Sequence, residues 1–275
     1  MRYSIGLFAI ICCLILFQCD SSLANDAPVN LEAGGAQPLS WPRKLNVEME
    51  SETVRIILGQ PSYVVDATFN FQNKGETIEV DVGFPKKGEG YFDERFPHVS
   101  DFIKFETWVD GVQVEFVEKP NKASIEGPFT LPDLVKKIKQ TEKFDNLSLR
   151  ATDYRWMVKK RVRFPPNKIT TTRVRYEAQY NSRGGECRGI MAYIYGTGRY
   201  WNGNIGKSTF IIDATGIPTE DRPPRKSIYF SNENDENKAK WETLKDGIVQ
   251  FVIQDYKPKT PDDWIAVSIG CTHWD

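Results

Sequence analysis

Between residues 62 and 84 apolar and polar side chains alternate one by one. Tyr63, Val65, Ala67, Phe69 and Phe71 fall on one side, and Val64, Asp66, Thr68, Asn70 and Gln72 on the other. Successive side chains of a strand point to opposite faces, so this pattern buries one face of a sheet. A helix would scatter the same residues around its circumference. Asn73-Lys74-Gly75 then supplies a turn, with Gly free to take a positive φ. Ile78, Val80, Val82 and Phe84 resume the alternation, and Pro85 is expected to end it. The two runs predict a hairpin.

The same period recurs along the chain. Phe102–Val109 and Val112–Val117 flank Asp110-Gly111, a two-residue hairpin signal. Trp156, Val158, Val162 and Phe164 alternate with Met157, Lys159, Arg161 and Arg163 up to Pro165-Pro166-Asn167, and Val174, Tyr176, Ala178 and Tyr180 follow. Ser208–Asp213, Lys226–Phe230, Ile248–Gln254 and Trp264–Ile269 read as further strands. One segment has the helical period: Leu131, Leu134, Val135 and Ile138, with Thr130 as cap, predict a short amphipathic helix over Pro132–Gln140. The expected fold is therefore all-β: an antiparallel β-sandwich, one large or two small, with a short amphipathic helix inserted mid-chain. The expected organisation is a signal peptide over 1–24, a loose Pro- and Gly-containing leader over 25–44 and an N-terminal sandwich part over 45–127. A helical surface insert over 128–147 and a C-terminal sandwich part over 148–275 complete it.

Export is expected from the first segment. Arg2 precedes the apolar run Ile5–Phe17, which falls short of the roughly 20 residues a bilayer span needs. Ser22 and Ala24 stand where a signal peptidase wants small residues, so cleavage is placed between Ala24 and Asn25. Cys19 offers lipid anchoring as the minor alternative, although Gln18 and Phe17 before it are poor for that signal. No second long apolar run follows, and no transmembrane span is expected in the mature chain, which is read as periplasmic or secreted. Of five cysteines only Cys187 and Cys271 lie beyond the signal. An even count in an oxidising compartment predicts that they pair. Lys plus Arg is 36 and Asp plus Glu is 37, so the strong positive field of a nucleic-acid binder is missing.

At the first strands the chain resembles a bacterial family of exported proteins known as domain of unknown function 4424. The residues that carry the likeness are Asn25-Asp26, Met49-Glu50-Ser51-Glu52, Phe71-Gln72-Asn73 and Val82-Gly83-Phe84-Pro85. Tyr154-Arg155-Trp156, Phe164-Pro165-Pro166, Val174-Arg175-Tyr176 and Pro261-Asp262-Asp263-Trp264 carry it further. The resemblance implies an exported β-rich domain. It brings no catalytic residues, because the family's function is unassigned.

Motifs for chemistry are few. Ile205-Gly206-Lys207-Ser208-Thr209 has the end of a phosphate loop, but position 201 is Trp201 instead of the required Gly, and a strand follows instead of a helix. His98 and His273 are the only histidines and lack ligand spacing. No nucleophile elbow is present, and no catalytic residue, cofactor or metal is expected. Asp262-Asp263 and Glu233, Asp235 and Glu236 are carboxylate groups that read as solvated turns, with calcium binding or glycan hydrolysis as the sharper alternative. Arg155, Lys159, Lys160, Arg161, Arg163, Arg173 and Arg175 are expected on the outward side of two neighbouring strands, as a solvated face that discourages edge pairing or, in the sharper alternative, a basic face for an anionic surface such as phospholipid or cell-wall polymer.

The most unusual stretch runs from Tyr193 to Asn204. Tyr193, Tyr195, Arg199, Tyr200, Trp201, Asn202 and Asn204 offer stacking surfaces and amide hydrogen bonds, the equipment for a sugar or a protein partner. In the plainer account Tyr193 and Tyr195 line the core and the rest is a tight turn. The functional expectation is a non-catalytic binding or interaction module, with that stretch as its surface and an envelope protein or glycan as partner. A carboxylate-based envelope hydrolase and a structural or assembly component are the alternatives.

Overall fold

In a computed structural model, residues 30–33, 35–38, 46–92, 102–120, 149–183, 187–260 and 263–271 are described. Strands among them, in chain order, are β1 (Asn30–Ala33), β2 (Gln37–Pro38), β3 (Val47–Leu58), β4 (Ser62–Asn73) and β5 (Ile78–Phe92). Next come β6 (Phe102–Val109), β7 (Val112–Gln113), β8 (Val117–Pro120), β9 (Leu149–Phe164), β10 (Ile169–Gln179) and β11 (Asn181–Arg183). The last are β12 (Cys187–Ile194), β13 (Ile205–Asp213), β14 (Ile228–Phe230), β15 (Lys240–Lys245), β16 (Ile248–Tyr256) and β17 (Trp264–Ile269). Among the described residues a short α-helix, α1 (Glu233–Lys238), is capped by the Asn232 side chain, which accepts from the Asn234 N–H.

Two sheets result. The first has the order β14-β17-β12-β1-β5-β9-β8, with β11 beside β12 and β2 beside β5. The second has the order β15-β16-β13-β3-β4-β10-β6-β7. Pairing is antiparallel except for β1 with β12 and β3 with β13, which are parallel. Those two parallel pairs join early strands to late ones. Residues 45–127 and 148–275 are thereby woven through the same two sheets, and the choice left open by the sequence resolves as one large sandwich.

The alternation predicted for β4 is borne out. Tyr63, Val65, Ala67, Phe69 and Phe71 are all buried, and the intervening residues are not. They share the inner face of the second sheet with Val54, Ile56 and Leu58 of β3, Phe210 and Ile212 of β13, and Val174 and Tyr176 of β10, in one continuous core. Phe71 packs on Trp201 with ring centroids 4.2 Å apart, and Phe210 on Phe251 at 4.9 Å. The Asp110-Gly111 hairpin forms as expected, both residues having positive φ, 49° and 81°. Its second strand is short: after Gln113 the chain crosses to the other sheet, where β8 pairs with β9.

Three expectations are corrected. Pro85 does not end its strand. β5 continues to Phe92, and Pro85 sits where the strand passes from its pairing with β2 to its pairing with β1. A missing N–H costs least in such a gap. Part of the stretch expected as a loose leader is structured, with β1 and β2 both docked on β5. The basic face is divided: β9 pairs with β5 and β8 in one sheet, β10 with β4 and β6 in the other. The turn at Pro165–Lys168 carries the chain between sheets instead of between neighbours, and alternation alone does not reveal which strands a run will join.

The signal peptide 1–24, with Cys19 and the Ala24–Asn25 cleavage point, and the helical insert 128–147 lie outside the described residues. So do His98 and His273. Among the described residues no helix is long and apolar enough to cross a membrane.

Candidate functional site

The Tyr193–Asn204 stretch turns inward. Tyr193, Tyr195 and Trp201 are among the largest fully buried side chains. The polar tip of each is satisfied from inside. The Tyr193 hydroxyl accepts from the Gly35 N–H at 3.1 Å, the Tyr195 hydroxyl donates to Asp235 at 2.9 Å, and Trp201 Nε1 donates to the Ala36 carbonyl at 2.8 Å. Gly196–Tyr200 is a tight 3₁₀ turn. Arg199 donates to the Lys259 carbonyl, Asn202 to Glu48 at 3.2 Å and Asn204 to Asp255 at 2.9 Å. Tyr200 alone of the aromatics is left half-buried. The stacking surfaces expected here are therefore core surfaces, and the plainer reading describes the place.

The carboxylates are also structural. Asp263 is buried and accepts from the Lys259 N–H at 2.6 Å, the Thr260 N–H at 3.0 Å and the Thr260 hydroxyl at 2.7 Å, which builds the turn before β17. Asp262 lies outside the described residues. Asp235 is buried under Tyr195, with Asn232 donating to it at 3.1 Å, and burial raises its pKa. Glu236 pairs with Arg225 at 2.9 Å. Among the described residues no group of three or more metal-ligating side chains comes together.

Cys187 and Cys271 are joined by a disulfide. It ties β12 to the end of β17, its antiparallel neighbour.

One buried polar cluster was missed by reading motifs. Glu52 on β3 is fully buried; Ser208 on β13 donates to its Oε1 at 2.6 Å and the Tyr256 hydroxyl on β16 at 3.3 Å. Ser208 and Tyr256 are themselves 2.8 Å apart. Burial pushes the Glu52 carboxyl up to about 7, against the lowering effect of the two hydroxyls. The signal was present in the alternation, since Glu52 shares its parity with Val54, Ile56 and Leu58, and Ser208 shares that of Phe210 and Ile212. Gly206, from the apparent phosphate loop, lies on β13 instead. A Cβ there would come within 2.6 Å of the Glu50 carbonyl, so Gly permits the close parallel approach of β3 and β13.

A concave surface among the described residues lies elsewhere, on the outer face of the second sheet. Outward side chains of β4, β10 and β6 line a groove of about 430 Å³. In register across these strands stand Trp108, Arg173 and Thr68; Glu106, Arg175 and Asp66; and Lys104, Glu177 and Val64. Arg173 is fixed twice. It donates to both oxygens of Asp66, at 2.7 and 2.5 Å, and its guanidinium lies 4.8 Å from the centre of the Trp108 ring. Lys104 pairs with Glu106 at 3.0 Å, and Ser62 donates to Glu177 at 2.5 Å. A second groove of about 430 Å³ lies on the other flank of Glu106, with Phe105 and Phe116 packed edge to face at 4.8 Å. Of the groove residues, Arg173 and Arg175 were singled out in sequence as part of a basic face. Trp108 was hidden inside a predicted strand.

Residues 24–142 match the family described as Domain of unknown function (DUF4424). The likeness read from Met49–Glu52, Phe71–Asn73 and Val82–Pro85 is thereby shown; the motifs quoted from residue 154 onward lie outside the matched stretch. No curated protein matches the chain. Among solved structures, a Legionella pneumophila protein provisionally described as nutrient binding is 15% identical. That match covers 88% of this chain and 73% of the other, with a TM-score of 0.53, and it shows the fold alone. An M1 zinc metallopeptidase variant from Deinococcus radiodurans aligns at 10% identity, 81% and 42% coverage and TM-score 0.33. Leukotriene A4 hydrolase from Saccharomyces cerevisiae aligns at 11% identity, 84% and 32% coverage and TM-score 0.34. The chain spans less than half the length of either enzyme, and neither likeness carries an argument.

Proposed function

We propose that the chain is an exported, non-catalytic binding module whose ligand seat is the charged groove on β4, β10 and β6. The observation that carries this reading is the fixed Trp108–Arg173–Asp66 stack, an indole and a guanidinium held in place beside an open concavity. Small-ligand sites combine aromatic side chains with a few precisely placed polar or charged groups that fix orientation. The description of the Legionella protein agrees in kind, while its likeness carries only the fold. The acids proposed for hydrolysis favour a structural role: Asp263 holds a turn and Asp235 holds a tyrosine.

The test is a thermal-shift screen of the mature chain against amino acids, organic acids, sugars and cell-wall fragments, repeated with Trp108→Ala. The reading predicts stabilisation by at least one compound that Trp108→Ala weakens. If every stabilising compound acts equally on parent and variant, the groove is not the seat. The assembly alternative is favoured by one feature, the exposed apolar side chains Ile103, Val112, Phe116 and Val117 around the β6–β8 corner. It predicts one stoichiometric protein partner on cross-linking in intact cells.

A further inference from the structure

We infer that the ligand of this groove is a zwitterion, a small molecule carrying an ammonium and a carboxylate a few ångströms apart, as a free α-amino acid does. The inference rests on the groove being a binding site and adds the chemical class of what it binds.

Its basis is a pair of opposite charges that do not close on each other. Arg175 on β10 and Glu106 on β6 are direct register partners. Side chains so placed stand about 5 Å apart at their Cβ atoms, and opposite charges there ordinarily pair. Here they are drawn away. Glu106 is held by Lys104 at 3.0 Å on its own strand. Arg175 leans toward Asp66, but Asp66 already accepts two hydrogen bonds from Arg173, and Arg175 stops 3.8 Å away. Among the described residues the Arg175 guanidinium makes no hydrogen bond. A forked donor and a carboxylate therefore stand one strand spacing apart, both facing the same groove.

A ligand carboxylate on Arg175 would form the paired N–H···O contacts a guanidinium is shaped for. Its ammonium, two bonds away from the carboxylate carbon, would then reach Glu106. The rest of the groove selects for both charges together. Lys104, Arg173 and Arg175 are balanced by Asp66, Glu106 and Glu177. A simple anion drawn to Arg175 would meet three carboxylates, and a simple cation drawn to Glu106 would meet three cations. Only a molecule with both charges gains at one end without losing at the other. Trp108, two residues from Glu106 on the same face of β6, is placed to meet a side chain on the ligand.

Isothermal titration calorimetry on the mature chain with three probes tests this: L-phenylalanine, phenethylamine and 3-phenylpropionate. They share one aromatic body and differ in charge. The expected result is saturable binding of phenylalanine and at least tenfold weaker binding of the other two. Arg175→Met should weaken phenylalanine tenfold or more, and Glu106→Gln, on the same exposed face, provides the same test should the first variant not fold. Equal binding of all three, or preference for a singly charged probe, overturns the zwitterion while leaving the groove as a site. Absence of binding by all three, with only compounds that lack an ammonium–carboxylate pair stabilising the parent but not Trp108→Ala, also overturns it. If nothing binds in a way that Trp108→Ala alters, the binding reading falls as well.

Discussion

Replacing Glu52 with glutamine should remove most of the pH dependence of stability between pH 5 and pH 8. The carboxyl is fully buried between the sheets, and the groups that hold it are hydroxyls, Ser208 from β13 and Tyr256 from β16. Tyr193 of the facing sheet, Tyr195 just after it and Asp235 add further uncharged or acidic neighbours to the same polar interior. Among the described residues no cation offsets the loss of water, so the neutral acid is favoured in the fold. The carboxyl titrates near 4.5 when unfolded and at about 7 when folded. A group whose folded pKa is raised stabilises fully below its unfolded value, and that stabilisation is lost as pH climbs through the folded one. Between pH 5 and pH 8 the loss is about 2.5 kcal/mol by this linkage, or roughly 5–10 °C in Tm for a chain of this size. Asp235 is raised as well and adds in the same direction at lower pH, whereas Asp213 is lowered and acts with the opposite sign below the window. Urea titrations of parent and Glu52→Gln at pH 5, 6, 7 and 8 give the measurement. The parent should weaken as pH rises and the variant should stay nearly level. An unchanged slope in Glu52→Gln, or a parent that strengthens toward pH 8, would refute the reasoning.

Three further outcomes follow from the fold. Changing both Cys187 and Cys271 to serine opens a crosslink that spans 84 residues; on the chain-entropy account this costs about 4.5 kcal/mol, and dithiothreitol should lower the parent's urea midpoint to the variant's while leaving the variant unmoved. Gly206→Ala would set a Cβ 2.6 Å from the Glu50 carbonyl, so thermal unfolding should show a loss of roughly 1–3 kcal/mol from a change that elsewhere in a strand is harmless. Trp201→Ala should cost about 3–5 kcal/mol in the same assay and leave ligand binding in the folded fraction intact, since the indole packs on Phe71 and donates to Ala36 instead of facing solvent. A stable Trp201→Ala that had lost binding would restore the Tyr193–Asn204 stretch as the binding surface.

Much of the local structure was legible. The rows Tyr63 to Phe71 and Val80 to Phe84, the Asp110-Gly111 turn and the Cys187–Cys271 pair all needed only near-neighbour pattern, residue chemistry and counting. What was illegible was partnership over distance. Nothing in Arg161–Arg163 and Arg173–Arg175 tells that the Pro165–Lys168 turn throws them onto opposite sheets, because a strand's alternation fixes its buried face and not its neighbour. The parallel pairs β1 with β12 and β3 with β13 likewise depend on residues more than a hundred positions apart.

The site shows the same division in sharper form. Composition drew attention to Tyr193–Asn204 because aromatics among Gly and Asn look like a recognition loop. Whether an aromatic side chain serves recognition or packing depends on where its polar tip ends, and here Tyr193, Tyr195 and Trp201 end on Gly35, Asp235 and Ala36 inside the protein. Parity was the better guide. It places Glu52 and Ser208 inward among apolar neighbours, and it places Glu106 and Trp108 outward on one face of β6. A charged residue on the buried parity signals a titrating interior, and an indole on the solvent parity signals a surface available for contact. Both signals stand in the sequence beside the alternation that defines the fold. What parity lacks is the register that sets Glu106 opposite Arg175 and leaves them apart.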